Sequence, residues 1–165
     1  MNNIILIGMP GVGKSTVGVV LAKVLGYDFI DSDLIIQKKE GRKLHEIIYE
    51  EGTEAFLQIE DRINAGIQVE NSIIATGGSA VYGENAMKHF KEIGKIVYLH
   101  VSYDTLEQRL GDLNERGVAM KKGQTLLDLY HERCPLYKKY ADITVDEEHL
   151  DIRSTVESIL SKLDC

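Results

Sequence analysis

The fold of this 165-residue chain is decided near its N-terminus, where the apolar run Ile4–Ile7 (IILI) leads directly into Gly8–Ser15 (GMPGVGKS). A continuous aliphatic run of this length is typical of a strand that is buried on both faces of a parallel sheet. The octapeptide fits the pattern G-x-x-x-x-G-K-[S/T], and a helical pattern begins at Lys14. Because the match lies between a strand and a helix, as a phosphate-binding loop requires, the segment predicts a P-loop.

Each part of this loop has a physical reason for its residue type. Glycines allow main-chain N–H groups to turn inward around a phosphate, and the following helix points its positive N-terminus at the same group. The Lys14 ammonium is expected to reach the β- and γ-phosphates of ATP, and the Ser15 hydroxyl to bind Mg²⁺. The loop is thus predicted to bind the nucleotide through Gly11, Val12, Gly13, Lys14, Ser15 and Thr16.

Strand patterns alternate with helical patterns along the rest of the chain. Helices are expected at 14–25, 34–39, 44–50, 53–69, 84–93, 102–110, 125–140 and 152–163, and further strands at 27–30, 72–76, 95–101 and 143–145. This alternation predicts an α/β fold in three layers, α/β/α, with a five-stranded parallel sheet. The expected architecture is that of a P-loop NTPase of the nucleoside-kinase type, in one domain spanning residues 1–165.

Composition limits the partners of the protein. The net charge is −7 at pH 7, so the chain is expected to be repelled by nucleic acid and by anionic membranes. No apolar run approaches the ~20 residues that a membrane span needs, and no secretory signal pattern is visible at the start. The two cysteines, Cys134 and Cys165, lie far apart and form no metal or redox motif, which indicates free thiols in the cytoplasm.

Three further segments resemble the shikimate kinase family, and the resemblance runs over nearly the whole chain. Asp31–Asp33 (DSD) follows the second predicted strand, Gly77–Ser79 (GGS) follows the third, and Arg133–Tyr137 (RCPLY) is followed by Ala141-Asp142. They are similar to the family's D-[S/T]-D element, its three-glycine turn and its R-x-P-x-Y…A-D segment. The resemblance implies an ATP-dependent phosphotransferase of aromatic amino acid biosynthesis, which converts shikimate to 3-phosphoshikimate.

The resemblance also implies roles for individual residues. Asp31 would help Ser15 to hold Mg²⁺, usually through water. Asp33 would accept hydrogen bonds from substrate hydroxyls and orient the attacking one. Arg133 would bind the substrate carboxylate, a role that suits a planar bidentate donor. Main-chain groups of three consecutive residues would approach the substrate, namely Gly77, Gly78 and Ser79.

Two arginines match positions near the family's lid, a loop that closes over the substrates. The polar stretch 111–123 stands where the lid is expected, and residues 31–62 where the acceptor-binding region is expected. Arg109 matches an arginine that packs near the adenine. Arg116 matches the lid arginine that contacts phosphate and substrate, so the implied catalytic set is Lys14, Asp33 and Arg116. Family members are commonly monomers, which implies the same here.

The chain departs from the family pattern mainly on the acceptor side. The family's F-R-x-x-E element reads Phe56–Glu60 (FLQIE), so Leu57 stands where a second carboxylate-binding arginine is expected. The lid sequence R-P-L-L reads RGVA over residues 116–119, and residues 146–149 lack an arginine often found there. Two other functions therefore stay open from the sequence. One is a kinase of another small hydroxylated metabolite, such as a sugar acid or a nucleoside, and the other is a non-catalytic nucleotide-binding regulator.

Overall fold

A computed structural model describes residues 2–110 and 119–164. Within that part of the chain, five strands alternate with eight α-helices and one short 3-10 turn, Ala80–Tyr82. The strands are β1 (Asn3–Ile7), β2 (Asp28–Asp31), β3 (Ser72–Ala75), β4 (Gly94–His100) and β5 (Ile143–Asp146). The helices are α1 (Lys14–Leu25), α2 (Ser32–Glu40), α3 (Leu44–Glu51), α4 (Thr53–Ala65), α5 (Glu84–Ile93), α6 (Tyr103–Arg109), α7 (Leu126–Tyr140) and α8 (Ile152–Leu163).

The five strands form one parallel sheet in the order β2-β3-β1-β4-β5, which confirms the predicted fold class. β1 lies at the centre, and all five of its residues are buried, as its aliphatic sequence predicts. Parallel strands end at the same edge of a sheet. The segments that follow β1, β2 and β3 are therefore brought together, and these segments carry the P-loop, Asp33 and the Gly77–Ser79 turn.

The start of the P-loop fits only a glycine. Gly8 has a φ of +150°, and a Cβ atom there would lie 2.6 Å from the carbonyl oxygen of Leu99 in β4. Any side chain would push the loop away from the neighbouring strand, so Gly8 allows the chain to turn closely over the sheet. α1 then begins at Lys14, as the sequence predicts.

The main hydrophobic core surrounds the sheet, and a smaller cluster packs under α2, α3 and α4. This second cluster contains Ile36, Leu44, Ile47, Phe56, Ile63 and Ala119. Among the described residues, no helix is long and apolar enough to cross a membrane.

One predicted helix is clearly longer than the helix in the structure. The pattern over 53–69 was too long, because α4 ends at Ala65 and the N–H of Gly66 closes its last turn onto Ile63 O. Ile67 beyond it is buried in the main core, which accounts for the apolar continuation of the pattern. The predicted helix over 125–140 agrees with α7, which runs continuously from Leu126 to Tyr140 although Pro135 lies inside it.

Candidate active site

A cleft of about 450 Å³ opens at the carboxyl edge of the sheet. It is lined by the P-loop, by the turn after β3, and by residues of α2, α3, α4, α6 and α7. Most of the predicted site residues line it, namely Gly11, Gly13, Lys14, Ser15, Thr16, Asp33, Gly77, Gly78, Ser79, Arg109 and Arg133. The Val12 side chain is instead buried in the main core, so that only its main chain is placed to contribute to the loop.

The Lys14 side chain folds back over the P-loop. Its Nζ donates hydrogen bonds of 2.6 Å to Gly8 O and 2.9 Å to Met9 O, and only 8% of the residue is exposed. Burial lowers the pKa of Lys14 to about 8, although the negative charge of Asp33 opposes this shift. In the described part of the chain, the Lys14 ammonium thus donates to neutral carbonyl groups, and an incoming anion would stabilise its charged form.

Ser15 and Asp31 bring a hydroxyl and a carboxylate together beside the loop. Ser15 Oγ donates to Asp31 Oδ2 at 3.2 Å, while Asp31 Oδ1 accepts from the N–H of Asp33 at 3.0 Å and caps α2. Nowhere in residues 2–110 and 119–164 do three His, Cys, Asp or Glu side chains form a group that could hold a metal. A hydroxyl and one carboxylate suit Mg²⁺, which keeps several waters and takes further ligands from substrate phosphates.

Asp33 presents an unpaired carboxylate oxygen near the same cleft. Its Oδ1 is buried and has no hydrogen-bond partner in the described structure. Burial, followed by the neighbouring Asp31, raises the pKa of Asp33 to about 6, while Lys14 acts in the opposite direction. A carboxylate of this kind is mostly charged at neutral pH and can accept a proton there.

Glu60 is a buried acid next to the Gly77–Ser79 turn, to which the sequence interpretation gave no role. It lies on α4 with 2% of its surface exposed, and its Oε1 accepts a 2.6 Å hydrogen bond from Ser79 Oγ. Its Oε2 is buried without a partner in the described structure, and burial raises the pKa of Glu60 to about 8. A sequence signal was available, because Glu60 shares a buried helix face with Phe56 and Ile63, where a lone acid is unusual.

Arg133 supplies a buried positive charge to the lining of the cleft. It is 1% exposed, its Nη2 donates to Ala119 O at 2.7 Å, and its guanidinium lies over the Tyr82 ring at 5.4 Å. No carboxylate pairs with Arg133 within the described residues. Because a buried charge without a counterion is costly, the arrangement favours a bound anion.

Arg109 lies over the P-loop from the end of α6. Its Nη1 donates to Gly11 O at 3.3 Å and to Glu147 Oε1 at 3.2 Å. Glu147 is 4% exposed, and burial raises its pKa even though Arg109 opposes the shift. Arg109 is thus held by an ion pair that the sequence did not predict, close to the loop that would bind phosphate.

The expected lid and the Leu57 position are the two remaining parts of the sequence interpretation. Arg116 and residues 111–118 of the expected lid lie outside the described residues. Of the remainder of the expected lid, Met120 accepts a hydrogen bond from the Thr53 hydroxyl at 3.0 Å. Leu57 packs against the second hydrophobic cluster and does not line the cleft, whereas its neighbour Phe56 belongs to that cluster and also lines the cleft.

Comparison with known proteins gives a consistent result. The family model for shikimate kinase matches residues 10–164. A shikimate kinase of Thermodesulfovibrio yellowstonii is 35% identical over 165 residues, covering 98% of this chain and 95% of the relative. One of Persephonella marina is 34% identical over 164 residues, covering 99% of both chains.

Solved structures agree with the sequence relatives. A shikimate kinase of Acinetobacter baumannii in complex with shikimate superposes with a TM-score of 0.86 and 29% identity, covering 99% of this chain and 93% of that one. The enzyme of Aquifex aeolicus gives 0.85 and 31%, covering 98% and 96%. A gluconokinase of Sinorhizobium meliloti, with a TM-score of 0.53 and 19% identity, shares the fold alone. On the family match and these relatives, which confirm the resemblance first seen in the sequence, the chain belongs to the shikimate kinase family.

Proposed function

We propose that this protein transfers the γ-phosphate of ATP to a hydroxyl group of shikimate. The observation that carries the proposal is the presence, in one cleft, of a phosphate-binding loop and a buried arginine without a carboxylate partner in the described structure. Shikimate is a polyhydroxylated carboxylate, so it offers Arg133 an anion and offers Asp33 hydroxyl groups. Family membership supports the same acceptor and the same donor.

The phosphate end of the cleft acts by electrostatics. Main-chain N–H groups of the P-loop and the N-terminus of α1 would bind the phosphates, and Lys14 would exchange its carbonyl partners for phosphate oxygens. Ser15 and Asp31 would hold Mg²⁺, which would supply positive charge to the phosphate oxygens when it is bound. These groups offset the charge that develops as the bond between the γ-phosphorus and the β-bridging oxygen breaks.

The acceptor end of the cleft orients the nucleophile. Arg133 would bind the carboxylate of the acceptor through two N–H groups and fix its position relative to the P-loop. Asp33 would accept the hydrogen bond of the attacking hydroxyl and then its proton as the new O–P bond forms. Phosphorylated acceptor and ADP are the products. Arg116 stays a predicted contributor to charge stabilisation.

A coupled ADP-release assay tests this function. Shikimate would be compared with sugar acids, polyols and nucleosides at equal millimolar concentration, with Lys14→Met as the inactive control. We expect shikimate to give the highest kcat/KM and the control to give no acceptor-dependent ADP. Turnover of another compound in place of shikimate would contradict the proposed acceptor. ATP binding by calorimetry without turnover of any acceptor would instead indicate a regulator.

A further inference from the structure

The Ser79 hydroxyl joins the turn after β3 to α4. Ser79 Oγ donates a 2.6 Å hydrogen bond to Glu60 Oε1, and the two residues are 5% and 2% exposed. They lie 19 positions apart in the chain. A hydrogen bond between two buried groups, one of them a carboxyl, fixes the orientation of the carboxyl more firmly than a solvent-exposed contact would.

The orientation of the Glu60 carboxyl places its second oxygen, Oε2, next to Gly77. An atom at the Cβ position of Gly77 would lie 3.1 Å from Glu60 Oε2 and 2.6 Å from Asp33 Oδ1. Both oxygens are buried, and neither has a partner in the described structure. Two hydrogen-bonding oxygens thus border one point at the edge of the cleft, and a buried polar atom of this kind calls for a donor or acceptor from a ligand or a water.

We propose that Ser79 is a positioning residue for the acceptor, which acts by holding Glu60 so that its second oxygen stands beside that of Asp33. The proposal rests on the proposed function, since a hydroxylated acceptor is what the two oxygens would meet. Ser79 need not touch the acceptor for this role. Its hydroxyl is already used by Glu60, and its effect reaches the acceptor through the carboxyl group.

Loss of the Ser79 hydroxyl has two expected consequences. Glu60 Oε1 would become a buried oxygen without its donor, so the carboxyl could rotate away from Gly77. The hydrogen bond from Ser79 also opposes the burial that raises the pKa of Glu60, and its removal should raise that pKa further. A serine that acted only through packing would produce neither effect.

A double-mutant cycle with Ser79→Ala and Glu60→Met tests the proposal, since methionine keeps the length of the side chain and has no oxygen to accept from Ser79. We expect Ser79→Ala to raise the KM for shikimate about tenfold, in keeping with the loss of one hydrogen bond to a buried carboxyl. The KM for ATP should stay within about twofold, because the P-loop is untouched, and Ser79→Thr should restore the parent value. In the Glu60→Met background, Ser79→Ala should change the KM for shikimate less than about twofold.

A second measurement does not depend on turnover. NMR titration of ¹³C-labelled glutamate in the unliganded protein reports the pKa of Glu60 directly, and we expect Ser79→Ala to raise it. If the alanine variant is not folded by circular dichroism, Ser79→Cys, a close isostere with a weak donor, takes its place. Absence of shikimate turnover by the parent would overturn the proposed function, while the titration would still decide the Ser79–Glu60 link. Equal effects of Ser79→Ala in both backgrounds, or an unchanged pKa of Glu60, would overturn the inference.

Discussion

The Asp33 carboxylate is packed against the α-carbon of Gly77. A Cβ atom on Gly77 would lie 2.6 Å from Asp33 Oδ1, closer than two such atoms can approach. Glu60 Oε2 borders the same point at 3.1 Å. The glycine after β3 therefore makes room for two acidic side chains at the edge of the cleft, and its size is a condition for their position.

Replacement of Gly77 by alanine should damage acceptor binding more than folding. The added methyl group would displace Asp33 or Glu60, and we expect the KM for shikimate to rise about 10-fold or more, as a small misplacement of an orienting group allows. The matched control is Gly66→Ala, where the nearest atom to a new Cβ is Ile63 O at 3.5 Å, an ordinary contact. Parental kinetics in the Gly77 variant would show that the acceptor does not depend on this geometry.

Asp33→Asn should remove a proton acceptor and simplify the pH profile. Because burial and Asp31 raise the pKa of Asp33 to about 6, the parent should lose activity as the pH falls through 6 and Asp33 becomes protonated. The asparagine variant should lose that limb, and its kcat should fall about 100-fold or more, as expected for loss of a general base. Steady-state rates over a pH series measure both effects. If the asparagine variant still lost activity below pH 6, that loss would belong to a group other than Asp33.

The parts of the site that follow β1, β2 and β3 could be predicted from the sequence alone, because the carboxyl ends of parallel strands meet at one edge of the sheet. Gly8–Ser15, Asp33 and Gly77–Ser79 each follow a strand, and the sheet order places these strand ends side by side. The P-loop was the clearest case, because its motif, the strand before it and the helix after it are all local. Alternation of strands and helices likewise predicted the fold class without tertiary information.

The remaining features depend on contacts between distant segments. The Ser79–Glu60 hydrogen bond requires α4 to approach the turn after β3, and no periodicity encodes that distance. The same holds for Arg109 and Glu147, which lie 38 positions apart. Leu57 is a related case. Its motif position suggested a place in the acceptor site, but its packing against the second cluster is a tertiary contact that the motif does not encode.

Arg133→Lys tests the carboxylate-binding role. Lysine keeps the charge but loses the planar pair of N–H groups and the contact with Tyr82, so we expect the KM for shikimate to rise about 10- to 100-fold. With shikimate amide, which lacks the charge, parent and variant should differ much less. Arg153→Lys, on a side chain that is 87% exposed, is the matched control and should behave as the parent. An equal loss with acid and amide would mean that Arg133 does not bind the carboxylate.

Lys14→Met should abolish phosphoryl transfer while the fold persists. Methionine fills a similar volume but cannot offset charge on the phosphate oxygens, and a loss of at least about 100-fold in kcat is expected for one electrostatic donor. The carbonyl groups of Gly8 and Met9 lose their partner, so a modest fall in Tm should accompany the loss. Turnover within about threefold of the parent would remove Lys14 from the mechanism.

Glu60→Gln should change how the stability of the protein depends on pH. Burial is the largest cause that raises the pKa of Glu60, to about 8 from an ordinary value of 4.5, so the folded state binds this proton more tightly than the unfolded chain does. The stabilisation that Glu60 gives to the folded state is therefore fully present below its ordinary pKa of 4.5, and it is lost as the pH rises through about 8. The fall in Tm between pH 6 and pH 8 should be smaller in the glutamine variant, because its amide does not ionise.

Between pH 6 and pH 8, the effect of Glu60 on stability can be distinguished from the effects of Asp33 and Lys14. The raised pKa of Asp33, about 6, also makes stability fall with rising pH, but the fall is complete at lower pH. The lowered pKa of Lys14, about 8, instead makes stability rise with pH, and only above that pH. All other ionisable groups are common to the parent and the variant, so their effect cancels in the difference between the two proteins. Melting curves by circular dichroism at both pH values give that difference. If parent and variant lose equal Tm between them, the Glu60 carboxyl is not held neutral by its burial, and the paired oxygens at Gly77 would then carry two negative charges.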